Sequence, residues 1–307
     1  IVFTYGIQLA VGIILARLLS PEQFGLIGMT AIFTAIAQSF VDSGFSAALI
    51  RKKNCTQSEY STVFYYNMLI AIIFYSLLYL AAPYISRFFD EEKLTLLVRV
   101  IGINIVIMAI AQIQRTILIK QMNFKRLTKV TIVSSIISGA VSIGMAFAGY
   151  GVWSLVFQQL MRGLLESVIL WIIGHWRPSI IFSISAFKEL FGFGSKLLAS
   201  GLLNTIYNNI YNLVIGKYFS ASELGFYTRA NRFSSLVGPN INTVVQSVTF
   251  PAMAEFADDT ERLRANFKRI LMSTSLLSIY LSLLIAACAR ALILTLIGEK
   301  WAESIPY

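Results

Sequence analysis

A chain of 307 residues that is 57% hydrophobic and only 13% charged, with a mean hydropathy of +0.72, is too apolar to be a soluble domain of this length. Apolar stretches long enough to cross a bilayer as helices recur along it, which excludes a lone signal peptide, since such segments are single, short and N-terminal. A net charge of +10 on a soluble protein would suggest nucleic acid as a partner; here the basic residues cluster between hydrophobic spans, where they read as topology signals.

In chain order the periodicity predicts nine transmembrane helices, at roughly 1–19, 22–50, 60–82, 94–119, 128–148, 152–174, 189–218, 222–250 and 268–297. The first joins the second through "ARLLSPEQFG", residues 16–25, in which Ser20-Pro21-Glu22-Gln23 is a capping box with proline at the first helical position. The same phrase returns as "GKYFSASELG", residues 216–225, between the seventh and eighth helices. Ser20 aligns with Ser220, Gly25 with Gly225 and Arg17 with Lys217; Ile13, Ile14 and Leu15 align with Leu213, Val214 and Ile215. Ser220-Ala221-Ser222-Glu223 is again a capping box. Because an even number of spans separates the two copies, both enter the membrane from the same side. The repeat is therefore read as parallel, related by an axis along the membrane normal as in two-lobed transporters. The expected organisation is a six-helix lobe over 1–174, a cytoplasmic linker over 175–188, and a second lobe over 189–307 with three helices. A chain that opens inside a span without a methionine, and whose second lobe is short by at least three helices, is expected to be a fragment.

Orientation follows from the basic residues. The connections after the second, fourth, sixth and eighth helices carry Arg51, Lys52 and Lys53; Arg115, Lys120, Lys125, Arg126 and Lys129; Arg177 and Lys188; and Arg262, Arg264, Lys268 and Arg269. The odd-numbered connections carry only Arg17, Arg87, Lys93 and Lys217. The positive-inside rule places the even connections and the N-terminus in the cytoplasm, with Trp171 and Trp176 as anchors at that interface. Cys55 and Cys288 have neither metal-ligand spacing nor an obvious partner, so both read as inert thiols and no metal site is expected. His175, the single histidine, sits in "HWRP" at a span end and reads as interfacial. No external loop is long enough for a catalytic lid, and no acid, base and nucleophile cluster, so no enzyme and no catalytic residue is expected.

The segments "ARLLSPEQFGLIGMTAIF", "FVDSGFSAALIRKK" and "KQMNFKRLTKVTIVSSIISGAVSIGMAFAGYGVWSLVFQQL" resemble the polysaccharide transporter family, the Wzx-type flippases that export O-antigen, colanic acid and capsular polysaccharide in bacteria. The likeness runs over essentially the whole chain, and residues 120–160 are its most specific part. The family belongs to the MOP group, together with MATE-type multidrug antiporters and the lipid II flippase. The resemblance implies an all-α, polytopic, two-lobed bundle in the bacterial inner membrane, with a central cavity and alternating access. It implies as substrate an oligosaccharide on undecaprenyl diphosphate, turned from the cytoplasmic to the periplasmic leaflet. Membrane lipids and the polymerase or glycosyltransferase machinery are implied partners. It implies no cofactor, with coupling to H+ or Na+ left open. The competing reading is a MATE-like, ion-coupled exporter of small drug molecules.

Ionisable residues inside spans are costly unless they face a cavity or a partner. They are Asp42, Arg99, Arg162, Glu166, Lys196, Arg229, Arg232 and Arg290, and all but Asp42 and Glu166 are basic. That bias suits a lipid diphosphate, which arginine binds in a bidentate fork, and disfavours a drug cation. Arg229 and Arg232 share a helix face, about 10 to 15 Å below the outer end at 1.5 Å per residue. A cavity role, snorkelling and structural ion pairing all remain open for them. Arg162, Lys196 and Arg17 complete the substrate-binding candidates, Arg17 on the strength of the resemblance, since an interfacial place is its plainer reading. Arg162 and Glu166 stand four apart and are expected to pair, either as a structural salt bridge or as a gated cavity pair. Asp42, with Gln38, Ser39 and Ser43 nearby, joins Glu166 as a candidate for ion coupling or gating; the position 200 residues on is Asn242, which cannot titrate. Gly139 and Gly144 are expected to allow close helix packing, and Pro239 to interrupt the eighth helix.

Overall fold

The chain's solvent logic is inverted relative to a soluble protein. α4 (Gln57–Phe89) turns Leu69, Ile72, Leu77 and Leu80 outward and buries Asn67, Ala71 and Ala82. With lipid as the solvent there is no gain in hiding leucine, so small and polar side chains go to the helix interfaces. α6 (Phe124–Phe147) follows the same rule, burying Ser134, Ser138, Gly139 and Ser142 along one seam. A Cβ at Gly139 would lie 2.6 Å from Val11 Cγ2 of α1 (Val2–Leu18), so this glycine sets a close crossing as expected, whereas Gly144 meets nothing within 4 Å.

This computed structural model describes residues 2–42, 44–235 and 260–307, and every regular element among them is helical. The remaining helices are α2 (Pro21–Asp42), α3 (Phe45–Arg51), α5 (Lys93–Lys120), α7 (Val152–Ile173), α8 (Ile184–Tyr218), α9 (Ala221–Ser234) and α10 (Thr260–Leu296), followed by a short 3-10 turn at Glu299–Ser304. Among the described residues, six stretches are long and apolar enough to cross a membrane: Pro21–Arg51, Gln57–Phe89, Lys93–Lys120, Phe124–Phe147, Val152–Ile173 and Phe267–Leu296. Of the other three expected spans, α1 is apolar but shorter. α8 is long but carries Asn204, Asn208, Asn209 and Asn212. The eighth is described only as far as Ser235, so Pro239 and Asn242 lie outside the described residues.

The expected second helix, 22–50, is in fact two. Gly44 adopts φ 68°, ψ −3°, a left-handed conformation that ends α2 and starts α3. A Cβ there would also come within 2.5 Å of Gly194 O on α8, so the break and the α8 contact demand glycine for two separate reasons. α4 begins earlier than expected because Thr56 and Glu59 form a reciprocal cap: the Glu59 N–H donates to Thr56 Oγ1 (3.3 Å) and the Thr56 N–H to Glu59 Oε2 (2.7 Å).

Contacts divide the chain into two compact units, Ile1–Gly225 and Phe226–Tyr307. In the first, α4 packs on α5, α6 on α7, α5 on α7, α1 on α6, and α2 on α8. The stretch 174–183 is pinned alongside α4 and α5: Ser61 and Ser179 share a hydroxyl hydrogen bond (3.0 Å), the Ser183 N–H donates to Thr62 Oγ1 (2.9 Å), and Gln114 Nε2 donates to Trp176 O (2.9 Å). Trp171 and Trp176 join Phe64 in one aromatic cluster. In the second unit Trp301 is fully buried and meets Phe226 edge-on at 6.1 Å.

The two copies of the sequence motif face each other in the first unit. A Cβ on Gly25 would overlap Ala221 O, and a Cβ on Gly225 would overlap Pro21 O. Pro21 and Ala221 are themselves counterparts at the 200-residue offset, so the contact is reciprocal. Each copy also shows one half of its capping box: the Ser20 N–H donates to Gln23 Oε1, and the Glu223 N–H to Ser220 Oγ, both at 3.1 Å.

Candidate functional site

Along α2, Ile27, Thr30, Ala31, Thr34, Ala35, Gln38 and Asp42 recur at helical spacing and so share one face. On α5 the same spacing aligns Ile101, Asn104, Ile105, Met108, Ala111, Gln112 and Arg115. These two faces, with Gln159 of α7 and Asn209 of α8, enclose a cavity of about 470 Å³. From Ile27 to Asp42 it runs about 22 Å at 1.5 Å per residue, against a hydrocarbon thickness of about 30 Å.

The lining is mostly amide, hydroxyl and small aliphatic, with one carboxylate, one guanidinium and no aromatic ring. Gln38 Nε2 donates to Asp42 Oδ1 at 3.2 Å. Beside the cavity, Ser39 of α2 and Thr205 of α8 share a hydroxyl hydrogen bond of 2.8 Å, and Gln112 Nε2 donates to Ser46 Oγ at 3.0 Å. Asn104 Oδ1 is buried without a hydrogen-bond partner. It lies against the bare backbone of Gly163, where any Cβ would overlap it. A buried unsatisfied carbonyl is costly, and in a cavity it is a waiting acceptor for a ligand hydroxyl or amide.

A second crevice of about 350 Å³ opens between α1, α5, α6 and α7, lined by Thr4, Tyr5, Gln8, Arg115, Leu127, Thr128, Thr131 and Arg162. Arg115 lines both spaces. Glu166, only 1% exposed, is the anchor behind it. Its Oε2 accepts a short hydrogen bond from Arg115 Nη2 and its Oε1 accepts from Arg162 Nε at 3.1 Å. With its amide turned, the side-chain oxygen of Gln8 accepts from Arg162 Nη1 and Nη2, both at 2.9 Å.

The structure therefore gathers part of the sequence-derived set and leaves part of it apart. Asp42 lines the cavity, and Arg162 and Glu166 pair. Arg17 is exposed at the end of α1 and Lys196 is exposed on α8, neither on the cavity wall. Arg229 and Arg232 lie on α9 in the second unit, whereas the cavity forms wholly within the first. Arg115, assigned with the basic residues of the connection after the fourth helix, lies within α5, more than a turn before its end, and pairs with Glu166 of α7. At the linker end, Lys52 donates to Glu189 Oε1 (2.7 Å) and Glu59 Oε1 (2.5 Å). These bonds, to Glu189 first, hold its ammonium above the usual lysine range. Cys55 Sγ sits 2.7 Å from Lys120 Nζ.

Apolar outer faces and bilayer-length helices with a long polar cavity between them define a multi-pass membrane protein. The fold agrees: the inward-facing conformation of a multidrug resistance MATE-family transporter of the MOP superfamily aligns with a TM-score of 0.61 at 17% identity, covering 96% of this chain and 70% of that one. The profile of the polysaccharide biosynthesis protein family matches residues 14–306, and the chain belongs to that family. It is 30% identical over 275 residues to the teichuronic acid biosynthesis protein TuaB of Bacillus subtilis, covering 89% of this chain and 57% of that protein. It is 25% identical to the succinoglycan biosynthesis transport protein ExoT of Rhizobium meliloti (99% and 61%) and 24% identical to the lipopolysaccharide biosynthesis protein WzxC of Escherichia coli (99% and 62%). The chain thus spans about three fifths of the length of these relatives.

Proposed function

We propose that this chain carries the glycan path of a flippase that moves an oligosaccharide, borne on undecaprenyl diphosphate, from the cytoplasmic to the periplasmic leaflet of the bacterial inner membrane by alternating access. The observation that carries the reading is the amide-rich cavity. Sugar hydroxyls both donate and accept hydrogen bonds, and the carboxamides of Gln38, Asn104, Gln112, Gln159 and Asn209 offer both. A cavity for aromatic drug cations would be built on rings and carboxylates; this one has no ring, and its one carboxylate shares the wall with Arg115. Family membership and relatives named for polysaccharide biosynthesis and transport support the same reading. Asp42, at the end of the cavity, is the residue we assign to ion coupling, with H+ or Na+ as the ion. The remaining sequence-derived cations, Arg17, Lys196, Arg229 and Arg232, are proposed to meet the carrier diphosphate at other stages of the cycle.

The test is complementation of a host strain deleted for the gene, with the chain expressed from its native reading frame. Replacing Asn104, Gln112 and Asn209 together by leucine should lower surface polysaccharide at least tenfold per inserted protein, since each lost neutral hydrogen bond costs about 1 kcal/mol. Undiminished polysaccharide would remove the cavity from the glycan path. Resistance to organic cations conferred by the wild-type chain would favour the drug-exporter reading instead.

Orientation has its own test. Reporters fused after residue 122, in the α5–α6 turn, should read as cytoplasmic and those after residue 150, in the α6–α7 turn, as periplasmic. The reverse pattern would invert the proposed direction of transport.

A further inference from the structure

We propose that the crevice between α1, α5, α6 and α7 is a binding site for the phosphate group of a membrane lipid of net negative charge, held by Arg115 and Arg162.

Charge is the first argument. Two guanidiniums converge on one carboxylate, Glu166, so the cluster keeps a positive charge inside the helix bundle. Asp42, the other carboxylate near Arg115, faces the other cavity, is hydrogen-bonded by Gln38, and attracts Arg115 only at longer range, with no ion pair between them. A cation within a membrane bundle that shares its one direct carboxylate partner with a second cation is costly, and an anion in the crevice completes the cluster.

Donor count is the second. A guanidinium has five N–H donors in a planar fork. Arg115 uses one of its own on Glu166, and the others make no hydrogen bond among the described residues. Arg115 lines the crevice together with three hydroxyl-bearing residues, Thr4, Tyr5 and Thr128. Ionised phosphate is the acceptor that such a fork and a ring of hydroxyls match. At about 350 Å³ the space suits a phosphate or diphosphate with the first carbons of its ester, and not a folded acyl or prenyl tail.

The setting points to a lipid and not to a soluble anion. Thr128 and Thr131 belong to the opening turns of α6, where Lys125, Arg126 and Lys129 are all exposed. Beside them Met122 and Phe124 are 79% and 55% exposed. Basic and bare apolar residues alternating at one helix end are the pattern that engages an anionic membrane surface. The lipid's phosphate would enter past this rim, leaving its tail in the bilayer. Two sources share that chemistry, the undecaprenyl carrier and an ordinary anionic phospholipid. The site stands whether or not the chain exports a glycan.

The experiment is native mass spectrometry of the purified chain, expressed from its native reading frame. It is offered phosphatidylglycerol, phosphatidylcholine or undecaprenyl phosphate in detergent, with inorganic phosphate as competitor. Anionic lipid should be retained about tenfold over phosphatidylcholine, and Thr128→Val/Thr131→Val together with Lys125→Gln/Arg126→Gln/Lys129→Gln should erase most of that preference. None of these five residues takes part in the Arg115–Glu166–Arg162 cluster, and unchanged thermal stability separates lost binding from lost folding. Preference for undecaprenyl phosphate assigns the site to the carrier, and equal retention of phosphatidylglycerol assigns it to the general headgroup; both uphold a lipid-phosphate site. Equal retention of phosphatidylcholine, no change in the variant, or displacement by inorganic phosphate at concentrations matching the lipid would overturn it.

Discussion

Glu166→Ala is expected to strip most of the protein from the membrane. The carboxylate is 1% exposed and is the shared partner of Arg115 and Arg162. Removing it leaves two guanidiniums, each with its side chain 35% exposed, without the carboxylate that both contact directly. Breaking a buried ion pair by deleting one partner costs about 3–5 kcal/mol, a large share of the roughly 5–15 kcal/mol that holds a domain folded. Glu166→Gln keeps the shape and some hydrogen bonding but still loses the charge, so its level should fall between those of alanine and wild type. Replacing the whole cluster, Arg115→Met, Arg162→Met and Glu166→Leu, should restore abundance, because an apolar trio of similar volume leaves no charge to bury. The measurement is membrane-inserted protein by immunoblot, with thermal melting in detergent. Normal levels of Glu166→Ala would mean the arginines find other partners, and the charge argument for the α1/α6 crevice would fall with that result.

The helices were legible in the sequence because apolar runs of bilayer length are hard to mistake, and the repeat because a capping serine, a basic residue and a glycine recur at one offset within a ten-residue segment. The Gly44 break was not legible. A glycine in an apolar run reads as tolerated until Gly194 of α8 is seen against it, and that contact joins residues 150 apart in the chain. The cavity lining was missed for a related reason. Sequence attention went to charges, whereas the wall is built from neutral amides scattered one or two to a helix over α2, α5, α7 and α8, and no single segment looks polar enough to notice. Arg115 lies inside the expected span 94–119, but its charge near a basic helix end reads as a topology signal, and only the fold brings Glu166 of α7 against it. The Arg162–Glu166 pair was readable because helix geometry alone brings residues four apart together.

The motif repeated at residues 16–25 and 216–225 explains its own glycines, and substituting them should have the largest effect on transport itself. Capping accounts for the serines and the residues three beyond them, but a cap has no use for glycine five positions on. The structure supplies the use: Gly25 lies on Ala221 O and Gly225 on Pro21 O, so the first turns of α2 and α9 touch backbone to backbone. Neither position has a left-handed backbone, so the demand is for space alone, and even one methyl group is too much. Under the alternating-access reading this contact must break and re-form in each cycle. Gly25→Ala and Gly225→Ala are therefore each expected to hold the two turns apart while leaving the helices, which favour alanine over glycine, intact. Surface polysaccharide should fall about tenfold or more, as for a misplacement of about 1 Å in a working site, with protein level unchanged. Wild-type export in both variants would show that the reciprocal contact is packing the cycle never remakes.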